Sequence, residues 1–216
     1  MKTKDIIIAN TFQQISHDEF GTELQLEPMS QWKMKNIQIL RDKLYENYDY
    51  SSATTYEFPS PLQEKRRKKI FEDERHSIDT SIETLRFLNL IIYNIVHITQ
   101  NNISVPGVVA VGKYLRTRGQ YIDYVKLDSW IAQLRIKGMA SLIASILKLT
   151  FSFESNELPF LYKVYTKAHL QLCNQISNDH NKSLVRHSSQ IFTYSPIAVL
   201  SIWHQKIVSL LSNIEE

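Results

Sequence analysis

The densest chemistry in the sequence lies between Lys113 and Lys137, where Lys113, Arg116, Arg118, Lys126, Arg135 and Lys137 are interleaved with Tyr114, Tyr121, Tyr124 and Trp130. Cationic side chains neutralise phosphates and aromatic rings stack on bases, so this is the pattern a nucleic-acid surface uses. The six basic residues are the candidate polyanion contacts. Asp123 and Asp128 stand among them, however, and Leu127, Trp130, Ile131 and Leu134 recur at the spacing of a buried helical face. Packing of a helical hairpin is the competing reading and the favoured one, because short basic motifs match by chance often.

A second basic run, Lys65-Arg66-Arg67-Lys68-Lys69, is followed by Glu72, Asp73 and Glu74. Lys68 with Glu72 and Lys69 with Asp73 are i, i+4 pairs, so the run reads as an ion-paired, solvated helix face. His169 and Cys173 share one helical face, a spacing that brings two soft ligands together, but no Cys-x-x-Cys or His-Glu-x-x-His accompanies them. No metal site and no cofactor is expected. The sequence also lacks a Gly-x-Ser-x-Gly elbow, a phosphate loop and a dinucleotide fingerprint, which leans away from an enzyme. An enzyme assembled from scattered residues is a further reading, and a deep pocket with convergent titratable groups would mark it. Tyr45, Tyr48, Tyr50, Tyr56 and Phe58 cluster in a stretch without period. Such rings either pack back on their own core, the favoured reading, or form a partner-binding surface, and they are the candidate set for one.

The elements that position these residues are helices. Only five Gly and six Pro occur in 216 residues, too few for turn-rich β architectures. The expected fold is all-α, an irregular array of about seven to nine helices in a single domain over residues 1–216. A subdivision into 1–59 and 60–216 is conceivable. Ile8, Phe12 and Ile15 mark a first amphipathic helix that ends before Gly21, and Ser30 is placed to cap a second reaching about Tyr48. Ser60-Pro61 starts a third, with Gln63 closing a capping box. Residues 61–100 run as one helix or as two divided near Ser77, with Ile70, Phe71, Ile78, Ile82, Leu85, Leu88 and Ile92 on one stripe. Ser104 and Pro106 start another helix, for which Gly119 supplies a left-handed stop. Asp123 caps the next, Gly138 marks a break or a close contact, and Met139 to Leu149 is the most apolar and most central helix. Residues 154–165 read as a loop, followed by helices to about Ile176, over 184–192, and from Ser195-Pro196 to Ile214. Only 22–26 has a weak extended character.

The residues Gly112-Lys113-Tyr114-Leu115-Arg116, Arg118-Gly119, Asp123-Tyr124, Lys126-Leu127, Trp130, Met139-Ala140 and Glu157-Leu158-Pro159-Phe160 resemble an uncharacterised family of bacterial helical proteins. The resemblance covers about the second half of the chain and implies a helical fold with no assigned activity. A more distant likeness is to the helical C-terminal part of nucleotidyltransferase-like proteins. The Gly-Ser and Asp-x-Asp pattern that holds metal and nucleotide in that group is missing here, so the likeness implies no transferase activity.

Net charge is +3, too mild by itself to imply nucleic acid, but its distribution is uneven. Residues 1–99 carry 13 basic and 15 acidic side chains, and residues 100–216 carry 12 and 7. The single cysteine, Cys173, forms no intramolecular disulfide, and the short apolar run Ile6-Ile7-Ile8 is no secretory signal. Apolar stretches at 88–96 and 139–149 are broken by Asn89, Asn94, Ser141 and Ser145, well short of the roughly 20 residues a membrane span needs. The expectation is a cytoplasmic interaction or regulatory module with a protein partner and no membrane contact. The alternative is a nucleic-acid or nucleotide-associated domain using 113–137.

Overall fold

A computed structural model of the chain describes residues 3–46, 57–78, 81–100, 103–177 and Tyr194. They form eight α-helices: α1 (Thr3–Phe20), α2 (Gln31–Tyr45), α3 (Pro61–Arg75), α4 (Ile82–Gln100), α5 (Val105–Arg118), α6 (Tyr124–Leu134), α7 (Lys137–Thr150) and α8 (Ala168–Ser177). Two single 3-10 turns lie at 119–121 and 155–157, and no strand occurs among the described residues. The fold is the expected all-α array. The helices expected over 184–192 and 195–214 fall outside the described residues.

Local chemistry explains most boundaries. The Ser104 side chain accepts the Gly107 N–H, with Pro106 in the first turn of α5. Asp123 accepts the Val125 and Lys126 N–H groups at 3.0 Å and caps α6. Ser30 and Ser60 occupy the cap positions of α2 and α3 without making a side-chain bond. Gln63, expected to close a box with Ser60, instead donates to the Leu134 carbonyl at 3.0 Å. Arg66 reaches the Gln133 carbonyl at 3.1 Å, so α3 satisfies carbonyls that the end of α6 leaves without helical partners.

Of the two readings of residues 61–100 the structure has two helices, with a break between Arg75 and Ile82. Two expectations are corrected. Ile78 and Ile82, placed on the apolar stripe, stand in solvent. The break is stabilised by Glu74, whose carboxylate accepts the Ser81 N–H at 2.6 Å. Gly119 does not adopt the left-handed conformation; its φ and ψ of −54° and −34° carry the chain on into the 3-10 turn. The left-handed cap falls on Arg135 instead (φ 57°, ψ 42°), where the Arg135 and Ile136 N–H groups return to Ala132 and Ile131.

α4 and α7 form the centre. Phe87, Leu88, Leu90, Ile91, Ile92, Ile95 and Val96 of α4 are buried, as are Met139, Leu142, Ile143, Ile146 and Leu147 of α7. Each such side chain contributes on the order of 1.5–3 kcal/mol by leaving water. α5 packs on α4 and α7, α1 and α8 close one side, and α3 and α6 close the other. Gly112 lets α5 come close: a Cβ there would lie 2.9 Å from Leu147, Phe153 and Phe20. Gly138 is a close contact and not a break: it lies inside the first turn of α7, and a Cβ there would meet the Tyr194 carbonyl at 2.0 Å.

Two buried serines give the apolar α7 a polar task. Ser141 Oγ accepts the Tyr162 N–H at 3.1 Å and Ser145 Oγ accepts the Tyr165 N–H at 2.9 Å, which fastens the 151–165 loop along the helix. Phe151, Phe153, Leu158 and Phe160 anchor that loop in the core. The loop is thereby positioned against the ends of α5 and α6.

Candidate functional site

Four of the six basic residues of 113–137 have anionic partners within the chain. Lys113 Nζ lies 2.7 Å from Glu19, Lys126 Nζ 3.1 Å from Glu74, Lys137 Nζ 3.5 Å from Asp128, and Arg116 Nε 3.5 Å from Glu157. Arg116 also donates to the Phe20 carbonyl at 2.7 Å, and its guanidinium stacks 4.3 Å from the Phe153 ring centroid and 5.3 Å from that of Phe20. The partners belong to α1, α3, α6 and the 151–165 loop, so the cations turn toward different neighbours rather than one shared face. Arg118 and Arg135 are exposed. Of the four rings, Trp130 is buried, and Tyr114 is half-buried and donates to Glu83 Oε2 at 2.6 Å; Tyr121 and Tyr124 are exposed. The run at 65–69 is paired too, though not as expected. Arg67 grips Glu64 with contacts of 2.6–3.1 Å, and Lys68 reaches back to Glu57 and Glu64.

What the hairpin does build is a cleft of about 320 Å³. It lies where α5 ends and meets the 3-10 turn, the start of α6 and the 151–165 loop. Its charged groups are Arg116 and Glu157, and Gln120, Tyr124, Asn156 and Pro159 complete the rim. The Glu157 carboxylate is held by its own turn. Oε2 accepts the Glu154 N–H at 2.8 Å, and Glu154 in return receives the Glu157 N–H, a reciprocal capping box. Tyr124 Oη donates to the Gly119 carbonyl at 2.8 Å, and burial raises its phenol pKa. Arg116, Tyr124, Glu157 and Pro159, which stand far apart in the motif segments quoted above, come together here. Gln120 and Asn156 had no sequence signal, whereas Glu154-x-x-Glu157 carried one in its box spacing.

Two members of the aromatic candidate set, Tyr45 and Phe58, fall within the described residues. Phe58 is in the core, and Tyr45 is half-buried at the end of α2. The Tyr45 hydroxyl has no hydrogen-bond partner among the described residues, and burial, with Glu19 adding to it, pushes its pKa to about 12. Tyr48, Tyr50 and Tyr56 lie outside the described residues. An exposed apolar surface appears instead on the outer face of α2. Trp32 is 66% and Ile39 63% exposed, one on each side of Lys35 along the helix, with exposed Lys43 one turn further on. These positions lie opposite Ile37, Leu40 and Leu44, which face the core. The signal was present in sequence as a second apolar pair, seven residues apart, off the buried face.

His169 and Cys173 do meet: Sγ lies 3.4 Å from Nε2, and Thr150 Oγ1 lies 3.1 Å from Nδ1. Burial lowers the imidazole pKa and raises that of the thiol, so both remain uncharged near neutral pH. The contact is a packed hydrogen-bond chain between α7 and α8. No group of three His, Cys, Asp or Glu side chains suited to a metal occurs among the described residues. No helix of the described residues is long and apolar enough to cross a membrane.

No protein-family model matches the chain, and comparison with curated proteins and with solved structures gives no match.

Proposed function

We propose that the chain is a non-enzymatic helical interaction module that holds a partner protein on the outer face of α2. The observation that carries this reading is Trp32, two-thirds exposed and followed two helical turns later by an equally exposed Ile39. A lone exposed aliphatic is ordinary, but tryptophan dominates the energetic centres of interfaces and leaves water at a large gain. Lys35 and Lys43 border the apolar pair, and residues 31–46 carry four basic side chains against two acidic ones. The matching partner is an amphipathic helix with an apolar face and an acidic rim, laid along α2. The polyanion reading of 113–137 has weaker support, since most of its cations already face carboxylates of the chain.

The test places a photo-crosslinking residue at position 32 and, as a control, at Tyr121, which is exposed elsewhere. One protein captured at 32 and not at 121 is then purified and titrated against wild type and Trp32→Ala/Ile39→Ala. Loss of about 30-fold or more in affinity supports the reading, the scale expected when one interface anchor contributes roughly 2 kcal/mol. Equal binding by the double variant, capture of only a second copy of the chain, or vesicle binding in place of protein binding refutes it.

A further inference from the structure

A second site, independent of α2, is the cleft at the end of α5. We propose that it binds the Watson–Crick edge of guanine. Its two charges lie side by side, each with a second partner within the chain. The Arg116 guanidinium is fixed by the Phe20 carbonyl and the Phe153 ring, and the Glu157 carboxylate by the Glu154 N–H. At 3.5 Å they form an ion pair that meets no hydrogen-bond geometry, so Glu157 Oε1 and the outer edge of the guanidinium keep capacity to bond.

The charge balance selects the ligand. A phosphate or carboxylate entering beside Arg116 would also face Glu157, and an ammonium entering beside Glu157 would face Arg116. The cleft therefore suits an uncharged polar group that presents donors to a carboxylate and an acceptor to a guanidinium along one edge. A trans peptide amide points its N–H and C=O in opposite directions and meets only one of the two. Adenine and cytosine each offer one exocyclic amine beside ring acceptors, and uracil offers one N–H between two carbonyls. Guanine alone among the bases carries two adjacent donors, N1–H and N2–H, next to the O6 acceptor. Glu157 takes the donor pair and Arg116 takes O6. Tyr124 and Pro159 supply apolar walls, and the carboxamides of Gln120 and Asn156 supply either polarity at the rim. A volume of about 320 Å³ admits one base and its sugar.

The test is titration of the full ¹⁵N-labelled chain with guanosine, inosine and adenosine to about 1 mM, the range of a weak single-base site. Guanosine is expected to shift the signals of Gly119, Gln120 and Asn156 with an affinity on the order of 100 µM. Adenosine, and inosine, which lacks the N2 amine, bind at least about tenfold more weakly, because a site built for those donors is left unpaired. Glu157→Gln keeps an acceptor for the Glu154 N–H, retains the wild-type unfolding midpoint and loses about tenfold in guanosine affinity. A guanine-containing single strand separates the sources: tighter binding with a steep salt dependence assigns the site to RNA or DNA, and equal binding assigns it to a free nucleoside. The proposal is overturned if guanosine shifts none of these signals, if inosine or adenosine binds equally well, or if Glu157→Gln binds as wild type does.

Discussion

Replacing Arg116 by alanine is expected to destabilise the fold by about 2.5 kcal/mol, which decides whether this cation is architectural or a free phosphate contact. Its Nη1 donates to the Phe20 carbonyl at 2.7 Å, a charged hydrogen bond of the class worth roughly 1.5–3 kcal/mol. Stacking on Phe153 at 4.3 Å and on Phe20 at 5.3 Å adds about 0.5 kcal/mol or more for each ring. The side chain is 32% exposed, so the low end of each range applies, and the 3.5 Å pair with Glu157 adds little. Urea unfolding followed by circular dichroism at 222 nm reads the difference. Arg118→Ala, on an exposed neighbour, is expected to lie within about 0.5 kcal/mol of wild type. Arg116→Lys keeps the charge but loses the planar fork, and falls between the two. The Arg116→Ala deficit persists in about 1 M salt, where the screening length is near 3 Å, because ring and carbonyl contacts are short-range. If Arg116→Ala and Arg118→Ala are equally mild, or if the deficit vanishes with salt, the reasoning is wrong and Arg116 is available to a polyanion.

Gly107→Ala removes a flexible residue from α5, yet it is expected to destabilise by about 1–3 kcal/mol, since the new Cβ would lie 2.3 Å from Asn94 Oδ1 in the α4–α5 contact. Combining it with Asn94→Ala relieves the clash, so the two costs are less than additive in a denaturation cycle. Arg135→Gly is expected to stabilise by up to about 1 kcal/mol, because the left-handed φ of 57° strains any residue with a Cβ; a loss would show that its side chain holds the turn. For Glu64, burial raises the carboxyl pKa, but the Arg67 hydrogen bonds, the Phe58 N–H and the charges of Arg67 and Lys68 outweigh it, leaving the pKa below the ordinary value. A lowered folded-state pKa contributes stability above the unfolded value of about 4.3, and that contribution is lost as the pH falls through it toward the folded one. The stability gap between wild type and Glu64→Gln is therefore expected to be constant near neutrality and to narrow on acidification below that point. A gap that widens there would contradict the assigned direction.

Much of the architecture was legible because helix chemistry is local. Ser104 with Pro106, Asp123, and the helical apolar period of 139–149 each act within a turn or two of their own position, and each appears where expected. The same locality explains the failures. Gly119 was a natural left-handed stop by residue type, but the chain continued into a 3-10 turn, and a left-handed cap formed at Arg135, where propensity argues against it. The stripe through Ile78 and Ile82 was correct in period and wrong in phase, because the Glu74 carboxylate captured the Ser81 N–H and restarted the helix.

The candidate sites depended far more on long-range contacts. Spacing alone made the basic residues of 113–137 a phosphate-surface candidate; carboxylates 41 or more residues away in α1, α3 and the 151–165 loop pair with three of the six, Lys113, Lys126 and Arg116. The cleft needed Arg116 and Glu157, 41 residues apart, to be brought within 3.5 Å by a loop fastened to Ser141 and Ser145. The sequence by itself determined where helices start, which faces are apolar and how much charge each segment carries, since those depend on neighbours along the chain. Only the tertiary structure decided which charges meet each other and which face solvent, because electrostatic and packing energies fall off with distance in space rather than with separation in sequence.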